Sequence, residues 1–356
     1  MSTPVKRISA EAAPRKPRLG FVGLGWIGRN RMESIVQARI AEVAAVHDVS
    51  TAAGVEAQKV SPDAVVSASF AELLQHDLDG VVIATPNCFH AEQSIAALEQ
   101  GIAVFCQKPL ARNAFETRRV VEAARRANCS LGVDLTYGAM PAMQKIDRLV
   151  ESGELGKIFA IDAVFHNGYG PDKAWFYDYT LAGGGCVLDL GSHLLDLALR
   201  PLGFPRIAEV KSSLFAKGEI AAGEVVEDYA TAMIETEKGA VINLSCCWNM
   251  HVGREAEIEI AFYGTEGGAR LRNVEGSFYD FVAERFRGTH SEVLSDPRDA
   301  KWQWGGLATL AWIERLNEGF DPAAEHYVEL AEVIDSVYEE FHAKAQRKTQ
   351  RRKEET

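Results

Sequence analysis

The chain has 356 residues, which is more than one ordinary hydrophobic core accommodates and favours two domains. Its 38 Lys and Arg residues against 50 Asp and Glu residues give a net charge of −12, which argues against binding to nucleic acid or to an anionic membrane surface. The hydrophobic fraction of 47% and the charged fraction of 25% are typical of a globular protein.

The cysteines and both termini favour a cytoplasmic protein. None of the six cysteines forms a Cys-x-x-Cys pair, so neither a disulfide framework nor a structural zinc site is expected. Residues 1–17 are polar and lack the apolar core of a signal peptide, and residues 343–356 are almost wholly charged or polar. We therefore predict a disordered N-terminal arm, a charged C-terminal tail, no membrane span and a reducing compartment.

The first third of the chain alternates short apolar runs with helical patterns, as β-α-β units of a parallel sheet do. Strands are predicted at 19–22, 43–46, 64–66, 80–84, 103–106 and 131–135, and helices at 29–39, 51–60, 70–75, 90–100 and 113–128. This alternation predicts an α/β domain of the doubly wound Rossmann type over residues 18–137.

The pattern changes in the second part of the chain, residues 138–342. Helices are predicted at 143–151, 186–199 and 322–341, and strands at 158–165, 209–215, 225–235, 240–248, 257–262, 269–271 and 277–282. Successive strands after a helix favour an α+β domain built on a mixed or antiparallel sheet.

A glycine-rich turn ends the first predicted strand. Its sequence, Gly23-Leu24-Gly25-Trp26-Ile27-Gly28, has G-x-G-x-x-G spacing between a strand and a helix, the context of a dinucleotide-binding fingerprint. Gly23 would permit the tight turn, Gly25 the approach of the pyrophosphate, and Gly28 the packing of helix on strand. We include Trp26 and Ile27 in the predicted cofactor site.

Asp48 ends the second predicted strand, about 20 residues after this turn. A carboxylate there accepts hydrogen bonds from the hydroxyls of the adenosine ribose and would repel a 2′-phosphate. No arginine directly follows it. The sequence therefore predicts NAD rather than NADP, with a solvated carboxylate as the alternative for Asp48 alone.

Lys108 follows the strand predicted at 103–106, at the carboxyl edge of the sheet, where doubly wound folds bind ligands. Its ammonium could hydrogen-bond a substrate hydroxyl and stabilise alkoxide character during hydride transfer. Position alone fits a solvated loop lysine equally well.

Asp189, His193 and Asp196 are predicted to share one face of the helix at 186–199, because their spacing is i, i+4 and i+7. A histidine can take the hydroxyl proton near neutral pH, and Asp189 could orient it. The alternatives are a satisfied core histidine and a zinc site, since Asp-x-x-x-His with a further carboxylate can bind zinc. We expect no metal.

These blocks together resemble the glucose–fructose oxidoreductase / inositol dehydrogenase (Gfo/Idh/MocA) family. The resemblance extends from Leu19 to about Tyr338 and rests on GLGWIG at 23–28, Asp48, ATPNCFH at 84–90, QKPLA at 107–111, ESGELGKI at 151–158 and GGGCVLDLGSHLLD at 183–196. It implies a Rossmann domain followed by a domain with a large open mixed sheet, whose exposed face forms homodimers or homotetramers.

The resemblance also implies reversible, NAD-dependent hydride transfer to or from a hydroxyl-bearing ring carbon of a sugar, inositol or related polyol. By motif match, the family's catalytic residues correspond to Lys108, Asp189 and His193, with His193 as acid–base. The loop at the nicotinamide side corresponds to Thr85, Pro86, Asn87 and His90. His90 alternatively begins a helix without contacting a ligand.

Two positions depart from the family pattern. Gln107 replaces the usual Glu; its amide can still hydrogen-bond a cofactor ribose, but a negative charge beside Lys108 is lost. Thr136-Tyr137-Gly138 replaces an Asn-Tyr-Arg-type segment, so the arginine is missing. These departures leave open a retained-NAD enzyme with redox-neutral chemistry, or a non-catalytic NAD-binding sensor. The intact catalytic set favours a dehydrogenase.

An aromatic segment precedes the three glycines at 183–185. Aromatic faces beside a carboxylate suit a pyranose, although simple packing of the loop explains them equally well. The predicted substrate site comprises Lys108, Tyr137, Trp175, Tyr177, Asp189 and His193. Trp302 and Trp304 form a second aromatic loop that could close over the pocket or a subunit interface.

Overall fold

The computed structural model describes residues 15–354, apart from residues 222, 224 and 300–304. The predicted arm at 1–17 lies almost wholly outside the described residues, as do Trp302 and Trp304. Side chains after Phe341 are also outside the description, although the last helix continues to Glu354 through most of the predicted tail.

The N-terminal half is a six-stranded parallel sheet with helices on both faces. Its strands are β1 (Arg18–Val22), β2 (Glu42–His47), β3 (Val65–Val66), β4 (Gly80–Ile83), β5 (Ala103–Cys106) and β6 (Leu131–Val133). Its helices are α1 (Trp26–Ala38), α2 (Thr51–Val60), α3 (Phe70–Leu73), α4 (Asn87–Leu98) and α5 (Ala114–Ala127). The strand order 3-2-1-4-5-6 confirms the predicted Rossmann sheet.

This order places β1 beside β4, where the direction of winding reverses. Open parallel sheets bind their ligands outside the carboxyl ends of the strands at this reversal. The central strands are apolar throughout because both of their faces are covered, and β4 and β5 are buried at every position.

The C-terminal half is a nine-stranded sheet with helices on one face. Its elements are α6 (Pro141–Glu151), β7 (Ile158–Asn167), α7 (Tyr179–Ala182), α8 (Ser192–Leu199), β8 (Ile207–Ala216), β9 (Glu219–Ile220), β10 (Tyr229–Thr236), β11 (Val241–Cys247), β12 (Ala256–Gly264), β13 (Gly268–Asn273), β14 (Phe281–Arg287), β15 (His290–Ser295), α9 (Leu307–Glu314) and α10 (Glu325–Glu354). The strand order is β15-β14-β13-β12-β7-β11-β10-β8-β9. β7 pairs parallel with β11 and antiparallel with β12, so the predicted mixed sheet is confirmed.

One face of this sheet packs against α6, α8 and α10, where most of the core of this half lies. The opposite face carries exposed aromatic side chains, with Phe159 on β7 and Tyr263 on β12. None of the described helices has the length and apolar character needed to cross a bilayer.

Helix α9 and strand β15 are absent from the sequence prediction, and the strand predicted at 277–282 lies instead at 281–287. The shift arises because the side chain of Ser277 accepts the backbone N–H groups of Tyr279 and Asp280 and closes a turn there. Helix α9 is apolar on all sides and therefore lacks an amphipathic pattern. Its Trp312 packs against Phe105 in the Rossmann core, although it lies within the segment predicted as the second domain.

Candidate active site

The glycine turn between β1 and α1 is shaped by close backbone contacts. Gly23 has φ +83°, and a Cβ there would lie 2.4 Å from the carbonyl of Ala84. A Cβ at Gly28 would lie 2.0 Å from the carbonyl oxygen of Gly23. A Cβ at Gly25 would meet nothing within 4 Å, so open space lies before the N-terminus of α1. That space suits a pyrophosphate, which the helix N-terminus would bind through its N–H groups.

Asp48 lies beside this turn, immediately after β2. One carboxylate oxygen accepts the Leu24 N–H at 2.6 Å, and the other accepts the Ser50 N–H at 2.7 Å. Asp48 therefore fixes the glycine turn and presents its negative charge to the cleft described next.

A cleft of about 790 Å³ runs along the carboxyl edge of the Rossmann sheet and is closed by residues of the C-terminal half. The predicted site residues that line it are Gly23, Gly25, Trp26, Ile27, Asp48, Thr85, Pro86, Asn87, Gln107, Lys108, Tyr137, Trp175, Asp189 and His193. Gly28, His90 and Tyr177 lie outside this lining. The structure thus brings most of the predicted site together in one place.

His90 lies behind the cleft wall and is fully buried. Its Nδ1 lies 2.7 Å from the carbonyl oxygen of Pro109, and its Nε2 lies 2.7 Å from that of Thr85. Burial lowers the pKa of its imidazole. In this arrangement His90 ties together the two loops that flank the cleft, instead of facing a ligand.

Tyr177 is also directed away from the cleft lining. Its hydroxyl donates to the carbonyl oxygen of Pro171 at 3.0 Å, and its ring meets that of Trp248 at 5.7 Å. It holds the aromatic segment against the sheet, which fits the packing alternative for this loop.

Lys108 and Asp189 form the central polar contact of the cleft. The Lys108 ammonium donates to the Asp189 backbone carbonyl at 2.8 Å and pairs with the Asp189 carboxylate. The other carboxylate oxygen accepts the Trp248 indole N–H at 2.9 Å. Asp189 therefore holds Lys108, and the prediction that it orients His193 is wrong.

The local backbone explains why this prediction fails. Residues Val187–Gly191 form a π-helical turn, and regular α-helix begins only at Ser192. Such turns change the angular spacing of side chains and are frequent at functional sites. The predicted single face for Asp189, His193 and Asp196 assumed an uninterrupted α-helix and is also wrong.

Asp196 belongs to a separate buried group outside the cleft lining. Its carboxylate lies 3.7 Å from the Arg200 guanidinium, which also donates to Asp147 at 2.7 Å. Burial raises the pKa of Asp196 to about 6. The guanidinium of Arg200 also fills the space beside Gly138, where a Cβ would lie 2.9 Å from its Nη2.

His193 lies in the cleft wall next to Tyr137, with ring centroids 4.9 Å apart in edge-to-face geometry. Among the described residues, its buried Nδ1 has no hydrogen-bond partner. Burial lowers the pKa of His193 well below its usual value, and the charges of Lys108 and Arg31 add to this effect. The imidazole is therefore neutral at pH 7 and able to accept a proton.

A buried carboxylate, Glu227, anchors the segment that carries Asp189 and His193. It accepts the N–H groups of Gly185 at 2.9 Å and Val187 at 3.0 Å, and the Tyr338 hydroxyl at 2.8 Å. Burial raises the pKa of Glu227 to about 7. Sequence reasoning missed this residue because it lies about 40 positions away and shows no motif of its own.

Two further residues of the cleft wall were also missed, Arg31 and Asp134. Arg31 on α1 and Asp134 after β6 form a buried ion pair, and Gln107 donates to the same aspartate. The only sequence signal was the position of Asp134 after a predicted strand. Within the described part of the chain, no cluster of three or more His, Cys, Asp and Glu side chains could hold a metal ion.

Residues 17–135 match the sequence model of an oxidoreductase family described by its NAD-binding Rossmann fold, and residues 143–270 match the GFO/IDH/MocA C-terminal domain. The inositol 2-dehydrogenase of Mycolicibacterium smegmatis is 30% identical over 284 residues, which cover 76% of this chain and 78% of that protein. The chain therefore belongs to the Gfo/Idh/MocA oxidoreductase family, and the predicted resemblance is confirmed.

The D-glucoside 3-dehydrogenase of Escherichia coli is 30% identical over 213 residues, or 56% of this chain, and the match spans only 61% of that protein. A levoglucosan dehydrogenase in complex with NADH and levoglucosan superposes with a TM-score of 0.79 at 22% identity, covering 93% of this chain and 98% of that one. The structural similarity to levoglucosan dehydrogenase shows that the two proteins share the same two-part fold.

Proposed function

We propose that this protein is an NAD(H)-dependent dehydrogenase that acts on a hydroxyl-bearing ring carbon of a sugar, inositol or related polyol. The observation that carries this proposal is the meeting of Lys108 and a buried, neutral His193 in the cleft that begins at the glycine turn. The family membership and the names of the relatives support the same reaction class.

The cofactor would lie along the carboxyl edge of the Rossmann sheet. The open space at Gly25 would take the pyrophosphate, and Asp48 would accept hydrogen bonds from the adenosine ribose. The negative charge of Asp48 favours NAD over NADP, because a 2′-phosphate would face a carboxylate there. The nicotinamide end would then reach Asn87 and Gln107.

The chain supplies the proton chemistry. In the oxidising direction, His193 takes the hydroxyl proton while Lys108 donates a hydrogen bond to the same oxygen and stabilises its developing negative charge. Asp189 and Trp248 hold Lys108 in place for this contact. When bound, the nicotinamide supplies the hydride acceptor, so that the carbinol carbon becomes a ketone.

The wall from the C-terminal half suits a polyhydroxylated ring. Trp175 stacks on Phe176 with ring centroids 3.8 Å apart, and both line the cleft together with Asn167 and Phe278. Aromatic faces match the C–H faces of a sugar ring, and the amide matches its hydroxyls. A sugar or polyol is therefore the substrate class that we propose.

We further infer a homodimer or homotetramer in a reducing, cytoplasmic compartment. The uncovered face of the nine-stranded sheet carries Phe159 and Tyr263, which are suited to burial in an interface. The six cysteines are all free thiols. The division into residues 18–137 and 138–342 also remains part of the proposal.

The test combines NADH binding, followed by tryptophan fluorescence, with NAD+ reduction by a panel of sugars and inositols, followed by the absorbance of reduced nicotinamide. We expect binding and reduction by at least one polyol. NADH binding without reduction would favour a retained-cofactor enzyme, a substrate outside the panel or a sensor. Slow or absent loss of endogenous NAD during dialysis would distinguish the retained-cofactor enzyme from a dehydrogenase that exchanges its cofactor. Absence of NADH binding would overturn the proposal.

A further inference from the structure

Arg31, Asp134 and Gln107 form a charged group in the cleft wall beside Lys108. The Arg31 Nε lies 2.5 Å from Asp134 Oδ2, and the Gln107 Nε2 donates to the same oxygen at 3.1 Å. The side chains of Arg31 and Asp134 are only 3% and 1% exposed. Because the ion pair is deeply buried and accepts a further hydrogen bond from a neutral amide, the three side chains are held in a single arrangement.

The network determines how the Gln107 amide is oriented. Its Oε1 accepts the backbone N–H of Lys108 at 2.8 Å, so its Nε2 must face Asp134. An amide nitrogen carries two N–H groups, and Asp134 takes one of them. The second N–H is available to a ligand in the cleft, which Gln107 lines.

The network also favours an amide over a carboxylate at position 107. A Glu at this position would place a second carboxylate oxygen about 3 Å from Asp134 Oδ2, where two like charges cannot both be stable. The negative charge in this part of the wall is carried by Asp134.

We propose that the Arg31–Asp134 ion pair positions the Gln107 amide against the nicotinamide half of the cofactor. This inference rests on the proposed function. With its adenosine ribose at Asp48 and its pyrophosphate at Gly25, the cofactor would extend its nicotinamide half toward Gln107 and Lys108, which line the same cleft. Arg31 additionally helps to keep His193 neutral.

The test is a charge-swap cycle that consists of Gln107→Glu, Asp134→Asn and the double variant. NADH affinity is measured by isothermal titration calorimetry, and ADP, which contacts only the adenosine side, serves as the internal control. We expect each single variant to weaken NADH binding about tenfold or more, as one unfavourable charge contact of a pKa unit would. ADP affinity should change less than about twofold.

The double variant should recover to within about threefold of wild-type NADH affinity. The amide introduced at position 134 would donate to the carboxylate introduced at position 107, and one negative charge would again face Arg31. Single variants with wild-type NADH affinity, or a double variant no better than the weaker single variant, would overturn the inference.

A further variant covers the case in which Asp134→Asn does not fold. Gln107→Met leaves the Arg31–Asp134 pair intact and removes only the amide. It should weaken the binding of NADH but not of ADP, and wild-type NADH affinity in this variant would overturn the inference. A wild-type protein that binds neither NADH nor ADP would instead contradict the proposed function.

Discussion

The two walls of the cleft are built in different ways. The cofactor wall is built on the glycine turn at Gly23, Gly25 and Gly28, within one continuous strand, turn and helix, and the shape of this turn follows from the absence of three side chains. The opposite wall brings Lys108 and His193 together from separate parts of the chain, through the ion pair of Lys108 with Asp189. The first wall depends on close backbone approaches that only glycine permits, whereas the second depends on charged side chains held in place by residues distant in the sequence. Substitutions should therefore have different consequences in the two walls.

The largest effect is expected at His193 in the second wall. His193→Asn removes the group that accepts the hydroxyl proton, so kcat/KM should fall about 10²–10⁴-fold. NADH affinity should remain close to wild type, because the glycine turn is untouched. His166→Asn is the matched control, since His166 lies outside the cleft lining and its Nε2 is hydrogen-bonded to the Ser245 hydroxyl. Similar losses in both variants would contradict the role of His193.

The first wall is tested by a pair of glycine substitutions. Gly28→Ala should lower the free energy of unfolding by about 3 kcal/mol or more, because its Cβ would lie 2.0 Å from the Gly23 carbonyl oxygen. Gly25→Ala should leave stability within about 0.5 kcal/mol, yet weaken NADH binding by filling the open space before α1. Urea unfolding and calorimetric titration measure the two effects. Wild-type NADH affinity in Gly25→Ala would place the cofactor elsewhere.

A smaller effect is expected from Asp189→Asn, which removes the charge that holds Lys108. The Lys108 ammonium would lose its ionic partner, and kcat/KM should fall about 10–100-fold at saturating NAD+. Trp248→Phe removes only the indole N–H donated to Asp189 and should cost about tenfold at most. A greater loss in Trp248→Phe than in Asp189→Asn would show that the charge of Asp189 is not what holds Lys108.

A pH dependence of stability is expected from Glu227, which anchors the second wall from outside the cleft. Its pKa is raised to about 7 in the folded protein, above its ordinary value of 4.5. The folded state therefore binds the proton more tightly, and stability contributed by this group is complete below pH 4.5 and lost as pH rises toward 7. The difference in unfolding free energy between wild type and Glu227→Gln should fall across that window. A difference that rises or stays constant would contradict the raised pKa.

The sequence predicted the first wall almost completely, because a glycine turn between a strand and a helix is a local signal. Gly23 and Asp48 lie where the fingerprint placed them. Of the second wall, the sequence predicted Lys108, Asp189 and His193, which all line the cleft, but not the contacts that they make. The π-helical turn at Val187–Gly191 has no sequence signature, so the assumed partnership of Asp189 with His193 failed.

Long-range partners account for the other omissions. Glu227, which lies just before β10, accepts a backbone N–H group of the triple-glycine segment. Arg31 on α1 forms an ion pair with Asp134, which follows β6. Neither pair can be inferred from spacing, because the partners lie about 40 and 100 residues apart. Helix α9 was missed for a different reason, since a short segment that is almost uniformly apolar shows no helical periodicity.

The most direct test of hydride transfer uses a substrate identified in the polyol panel, deuterated at the reacting ring carbon, under single-turnover conditions with NAD+. We expect slower reduction than with the unlabelled substrate, and deuterium in the released NADH. Deuterium that returns to the sugar product, with no net NADH, would contradict a dehydrogenase and favour redox-neutral chemistry with retained NAD.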